Sequence, residues 1–212
     1  IQRAHDEAHG DIPHEIIEVD PSAVEAFLGR VKDPVSESPE ASDKIDDAFR
    51  AIMFTDLKDS TLLTTIHGDS KALHLLHIHN AITRNALRKH LGREIKHTGD
   101  GIMASFKSIP DAVKCSMEII SGFNSHNVAN PEEELFVRIG VSAGEPIEEN
   151  GDLFGSTVQM AARLCAHADP NKTLVAQIIK DHCEEMHNSF IPKGKVRMKG
   201  FSQDTDIFEI MC

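Results

Sequence analysis

The chain has 212 residues, 40% of them hydrophobic and 26% charged, a globular composition that excludes wholesale disorder and fits one full domain plus a short attachment. No apolar run approaches the roughly 20 residues of a bilayer-spanning helix, and a net charge of −12 repels phosphate backbones, so the sequence argues against a membrane span and a nucleic-acid partner. The four cysteines, Cys115, Cys165, Cys183 and Cys212, have neither CxxC spacing nor disulfide density and read as free thiols of a cytoplasmic protein.

Residues 1–45 carry 11 Asp/Glu against 4 Lys/Arg, a net of −7 that leaves −5 for the remainder. Within them, 21–28 (PSAVEAFL) reads as one short helix capped by Asp20, and 33–42 (DPVSESPEAS) as a linker. The chain opens on Ile1 with no basic-then-apolar leader. This segment is expected to be the tail of a truncated upstream domain or a packing arm, ahead of a single larger unit over 46–212.

From residue 49 onward, strand and helix patterns alternate. Ala51–Phe54 is a short apolar run that predicts a buried strand. Leu75, Ile78, Ile82 and Ala86 share one face of a helix over about 70–91, with Gly92 as its stop. Residues 94–98 and 102–106 form two strands around Gly99-Asp100-Gly101, a hairpin signal. A helix over 110–124 follows, then Leu135, Val137, Ile139, Val141 and Ala143 alternate as a half-buried strand. A helix over 156–167 and shorter strands at 173–175, 195–198 and 206–210 complete the chain. The order β-α-β-β-α-β with additional C-terminal elements predicts a ferredoxin-like α/β sandwich.

Asp56 lies just past the first strand in FTDLKDST (54–61), and Asp100 lies at the tip of the hairpin. If hairpin and strand pair, both carboxylates reach one end of the sheet, where they suit one or two Mg²⁺ ions that take further oxygens from substrate phosphates. Ser60 and Thr61 can open a helical turn that cradles a phosphate. Taken singly, Asp100 reads as a turn residue before it reads as a ligand, and Asp59 reads as a helix cap.

Together with DLFGSTVQMAARL (152–164) and RIGVSAGEPI (138–147), these motifs resemble the catalytic domain of the class III adenylate and guanylate cyclases over residues 48–210. The resemblance implies a head-to-tail homodimer that closes a nucleoside triphosphate into a 3′,5′-cyclic monophosphate and pyrophosphate, using two Mg²⁺ or Mn²⁺ ions per site. By position, Asp56 and Asp100 match the metal ligands, with the Leu57 carbonyl as a further one. Lys96 and Asp152 match the base-reading pair, Arg163 the transition-state arginine and Lys199 a lysine on the terminal phosphates. Two positions depart from the pattern: Gln159 stands where many members have the Asn that orients the ribose, and Asp59 where Gly is frequent.

Hydrogen-bond polarity selects among bases. Adenine offers an acceptor at N1 and a donor at N6, which complements a Lys donor with an Asp acceptor, whereas guanine reverses both. ATP is therefore the expected substrate. CTP shares the polarity of ATP and differs in ring size. The rival readings are a catalytically weak or inert nucleotide-binding module, a cyclase using GTP, CTP or UTP, and a diguanylate cyclase, whose GGDEF pattern is TGDGI here. His74, His77 and His79 lack a completing Cys or acid and are expected at the surface; His5 and His9, four residues apart, and His14 could form a transition-metal site in the tail, but none is expected.

Overall fold

A computed structural model describes residues 49–197 and 204–211; the acidic segment, its expected helix and its linker lie outside them. Among the described residues, the chain opens with β1 (Arg50–Leu57), runs through a long helix α1 (Ser60–Lys89), and forms the hairpin β2 (Arg93–His97) and β3 (Ile102–Phe106). The helix α2 (Ile109–Ala129) leads into β4 (Val137–Gly144), and a small two-stranded unit, β5 (Ile147–Glu149) and β6 (Asp152–Phe154), precedes the helix α3 (Ser156–His167). β7 (Lys172–Ala176), a short helix α4 (Gln177–Asp181), a 3₁₀ turn, β8 (Phe190–Val196) and β9 (Thr205–Ile210) follow. One seven-stranded sheet runs in the order β2-β3-β1-β4-β7-β9-β8. Its first four strands, with α1 and α2, are the predicted βαββαβ sandwich, and β7, β9 and β8 extend it through a parallel β4–β7 pairing.

The central strand β1 is covered on both faces, which is why it reads as an unbroken apolar run. Ala51, Met53 and Leu57 face the cluster built by α1 and α2, with Leu75, Ile119, Phe123, Ile139 and Val141. Ile52 and Phe54 face Met103, Leu153, Val158, Ala161 and Cys165 under α3. Each fully buried large side chain of this kind contributes about 1.5–3 kcal/mol, against at most about 1 kcal/mol for a surface ion pair. Apolar packing on β1 therefore holds the site's scaffold in place.

Several boundaries differ from expectation. α1 begins at Ser60 and not near residue 70, but its ladder breaks at Gly68, whose φ of 78° is left-handed. At its C-terminal end Leu91 takes the left-handed turn (φ 55°). Gly92 serves packing instead, since a Cβ there would lie 2.6 Å from the Phe106 ring. α2 runs on to Ala129 behind a Ser108 cap that accepts from the Asp111 amide at 3.3 Å. β8 spans 190–196 rather than 195–198. Its pattern escaped detection because it is mostly exposed and carries Pro192 and Gly194 at a register shift.

Candidate active site

The end of β1 and the β2–β3 turn meet as the hairpin signal requires. β1 pairs antiparallel with β3, Phe54 opposite Met103, and the Leu57 amide donates to the Asp100 carbonyl at 3.2 Å. Gly101 permits this approach: a Cβ there would lie 1.9 Å from the Thr55 carbonyl oxygen. Asp56 and Asp100 thereby interact directly. Asp56, 5% exposed, also accepts from Arg138 on the adjacent strand, through Nε at 3.0 Å and through Nη2. The Ser60 hydroxyl donates to Asp100 Oδ2.

This donor set fits a hard divalent cation. Two interacting carboxylates with one guanidinium, that of Arg138 on Asp56, leave negative charge to neutralise, and all the candidate ligand atoms are oxygens. No cluster of three or more His, Cys, Asp or Glu exists among the described residues. A cation held by Asp56, Asp100 and the Leu57 carbonyl would thus take its remaining oxygens from water and substrate.

Two buried groups here titrate with opposite sign. Burial pushes the Asp56 carboxyl up from its ordinary 3.8 to about 6, with Asp100 adding to the rise and Arg138 opposing it. Burial pulls the His79 imidazole down from 6.5 to about 4. Between these values native Asp56 keeps a proton that the unfolded chain has released, so rising pH costs stability through this group. Native His79 refuses a proton that the unfolded chain accepts, so rising pH adds stability through that one. Each effect is about 3 kcal/mol, and the two offset over roughly pH 4–6.5. Asp56→Asn removes one side of the balance. In metal-free buffer its stability is expected to fall by roughly 2 kcal/mol more than the wild type's between pH 7 and 4.5. Thermal melts at the two pH values measure this, and parallel behaviour would refute the raised carboxyl.

On the next stretch of sheet, Lys96 Nζ donates to Asp152 Oδ2 at 2.7 Å, with both side chains 29% exposed. Asp152 Oδ1 accepts the Leu153 amide at 2.8 Å, and the Phe154 ring centroid lies 6.0 Å from the Lys96 ammonium. At that exposure the pair adds little stability, so its interest is positional. The β5–β6 hairpin carrying Asp152 turns on Asn150 and Gly151, with φ 53° and 78°. It is tied down by Glu148, which lies 3.6 Å from Arg50 Nη1 and 3.4 Å from Arg93 Nη1.

α3 presents Gln159, exposed, and Arg163, half-buried, one turn apart; burial pulls the Arg163 guanidinium down from its ordinary value. The helix lies directly against β4, because a Cβ at Gly140 would sit 2.1 Å from the Cys165 amide nitrogen and 2.2 Å from the Ala161 carbonyl oxygen. Ser60 opens α1 as expected, although its hydroxyl is engaged with Asp100. Thr61 follows in the first turn, with its side chain outside the described set, and Lys199 lies outside the described residues. Asp59 occupies the cap position of α1 without a side-chain cap bond. Its backbone is left-handed at φ 58°, a conformation that favours Gly and that Asp tolerates better than most residues. That geometry suits the Gly expected at this position and is one that Asp59 tolerates; its carboxylate lies 3.7 Å from the Lys58 ammonium.

Two side chains of the site were not read from the sequence. Arg138 is one; the signal was a lone charge on the small-residue face of β4, shared with Gly140, Ser142 and Gly144. The other is His79, expected at the surface and found 0% exposed, because residue 79 turns toward Phe123 of α2, with ring centroids 5.7 Å apart.

Comparison with known proteins agrees with this geometry. A model of the family described as adenylate and guanylate cyclase catalytic domain matches residues 43–211. A putative adenylate cyclase 3 of Rhizobium meliloti is 32% identical over 121 residues, 56% of this chain and 21% of that protein. An uncharacterized protein of Mycobacterium tuberculosis is 30% identical over 159 residues, 75% of this chain and 40% of that protein. The chain thus spans well under half the length of these curated relatives. The crystal structure of an adenylate/guanylate cyclase/hydrolase from Silicibacter pomeroyi superposes with a TM-score of 0.67 at 26% identity, over 77% of this chain and 96% of that one. With the family match running through β1, the β2–β3 hairpin and α3 alike, the chain belongs to the adenylate and guanylate cyclase catalytic domains.

Proposed function

We infer that this nucleotide cyclase domain is an adenylate cyclase, forming 3′,5′-cyclic AMP and pyrophosphate from ATP as a homodimer. The observation that carries the choice of base is the Lys96–Asp152 pair at 2.7 Å. It sets an ammonium donor beside a carboxylate acceptor, and the ammonium keeps two further N–H groups for a substrate. That polarity suits the adenine N1 and N6 edge and opposes that of guanine.

In the reaction the ribose O3′ forms a bond to the α-phosphorus, the bond from that phosphorus to the bridging oxygen breaks, and the hydroxyl proton is lost. Asp56, Asp100 and the Leu57 carbonyl would hold Mg²⁺ or Mn²⁺, which when bound lowers the pKa of the attacking hydroxyl and neutralises the departing pyrophosphate. Arg163 offers a planar fork of donors to the oxygens that gain charge around the α-phosphorus. Gln159, on the same face of α3, would orient the ribose, and the resemblance gives Lys199 the role of contacting the terminal phosphates. In the homodimer, the aspartates of one protomer face Lys96, Asp152 and Arg163 of its partner. Phe136, Ile147 and Phe154 leave apolar surface exposed beside these groups, as an interface would.

A panel of ATP, GTP, CTP and UTP with Mn²⁺, analysed for cyclic products, tests the reading. ATP is expected to exceed GTP by at least about 10²-fold in kcat/KM, with activity per chain falling on dilution. Equal turnover of GTP would overturn the role of the Lys96–Asp152 pair, and ATP binding without any cyclic product would replace the enzyme with an inert module.

A further inference from the structure

Beneath the aspartates runs a chain of hydrogen bonds, buried up to its last link, that the reaction itself does not use. Thr55, immediately before Asp56, accepts the Ile102 amide on its hydroxyl at 3.0 Å, and Ile102 is the first residue of β3 after the turn bearing Asp100. The Thr55 hydroxyl also lies 3.3 Å from His79 Nε2. His79 Nδ1 lies 3.0 Å from Asn80 Oδ1, and the same oxygen lies 3.0 Å from Nε2 of His97, the neighbour of Lys96.

One proton assignment satisfies every group. The Thr55 hydroxyl donates to His79 Nε2, the neutral imidazole donates through Nδ1–H to Asn80, and His97 donates to the other lone pair of that oxygen. Thr55 and His79 are 1% and 0% exposed and Asn80 is 9% exposed, so breaking a link among these three strands a buried polar atom, while His97 joins them from the exposed end of β2. One turn of α1 therefore grips the end of β1, the start of β3 and the end of β2 at once.

We propose that His79 and Asn80 are positioning residues: through Thr55 they fix the separation and orientation of Asp56 and Asp100 for a divalent cation, and through His97 they tie the strand carrying Lys96 to the same anchor. This rests on the metal-binding reading of the two aspartates. The bland alternative is a polar cluster that only stabilises the core. Thr83, on the same helix and 0% exposed with a hydroxyl that has no hydrogen-bond partner among the described residues, is the natural control for it.

The test is Mn²⁺ binding to the intact chain without nucleotide, followed by electron paramagnetic resonance of the free ion, with circular dichroism to verify folding. Thr55→Val, which keeps shape and loses only the hydroxyl, and Asn80→Leu are each expected to weaken Mn²⁺ binding about tenfold, as loss of groups that orient metal ligands does. Asn80→Asp, which keeps the acceptor oxygen, is expected to stay within about twofold of wild type, and Thr83→Val to bind as wild type does. If Asn80→Leu does not fold, Thr55→Val decides. Unchanged Mn²⁺ affinity in Thr55→Val, equal losses in Asn80→Asp and Asn80→Leu, or a matching loss in Thr83→Val would each overturn the positioning role while leaving the cyclase reading intact. A wild-type chain that takes up no Mn²⁺ would bring down both.

Discussion

Chains bearing Asp56→Ala and chains bearing Arg163→Ala are each expected to lose cyclase activity by about 10²–10³-fold or more, the scale seen when a single charge-stabilising group is removed from a transition state. Mixed in equal amounts, they are expected to recover about a quarter of wild-type activity, since half of the dimers pair unlike chains and each of those holds one intact site. The physical reason is the division of labour inferred above: the carboxylates act in one site and the arginine of the same chain in the other. Recovery requires exchange of protomers, so the mixture should be co-expressed or incubated before assay. A mixture no more active than its parts would show that both groups act within one chain. Asp56→Ala chains that keep wild-type turnover would remove the carboxylate from the reaction altogether.

Gly140→Ala is expected to destabilise the domain by about 3 kcal/mol or more, which at this size lowers the melting temperature by roughly 6–12 °C. A methyl group there meets backbone on two sides, the Cys165 amide nitrogen at 2.1 Å and the Ala161 carbonyl oxygen at 2.2 Å, and neither can rotate away. The whole of α3 must lift from β4, carrying Gln159 and Arg163 with it, so activity should fall further than the loss of folded protein accounts for. Gly144→Ala is the comparison. Its Cβ would meet Thr157 Oγ1 at 2.3 Å, the movable end of a side chain, and the expected loss is smaller. Equal losses at the two positions, measured by calorimetry, would refute the backbone contact as the cause.

The parts of this architecture that could be read in advance are those with a strong local signal. The double glycine around Asp100 announced the β2–β3 hairpin, the alternation from Leu135 to Ala143 announced β4, and α3 runs over Ser156–His167 as expected. The meeting of Asp56 with Asp100 followed from those elements, because the β1–β3 pairing leaves the two carboxylates nowhere else to go. The β5–β6 hairpin was equally legible, since Asn150-Gly151 is the strongest short-range turn signal, but three-residue strands carry too little alternation to draw notice. Arg138 and the His79 network depend on register across strands and on which face of α1 turns inward. A helix with His74, His77 and His79 in one stretch does not declare which imidazole is buried; only contact with Thr55 and Phe123 decides that.

β9 lies between β7 and β8, not at a margin of the sheet: Leu174, Val175 and Ala176 of β7 pair with it on one side, and Phe190 to Val196 of β8 on the other. When only residues up to 200 have left the ribosome, β7 and β8 still face each other across an empty lane with their amides and carbonyls unmatched. The cluster of apolar side chains from Met160, Leu174, Val196 and Ile207 closes only when residues 205–210 emerge. Deleting residues 205–210 would leave a sticky edge for chaperones or proteases to find.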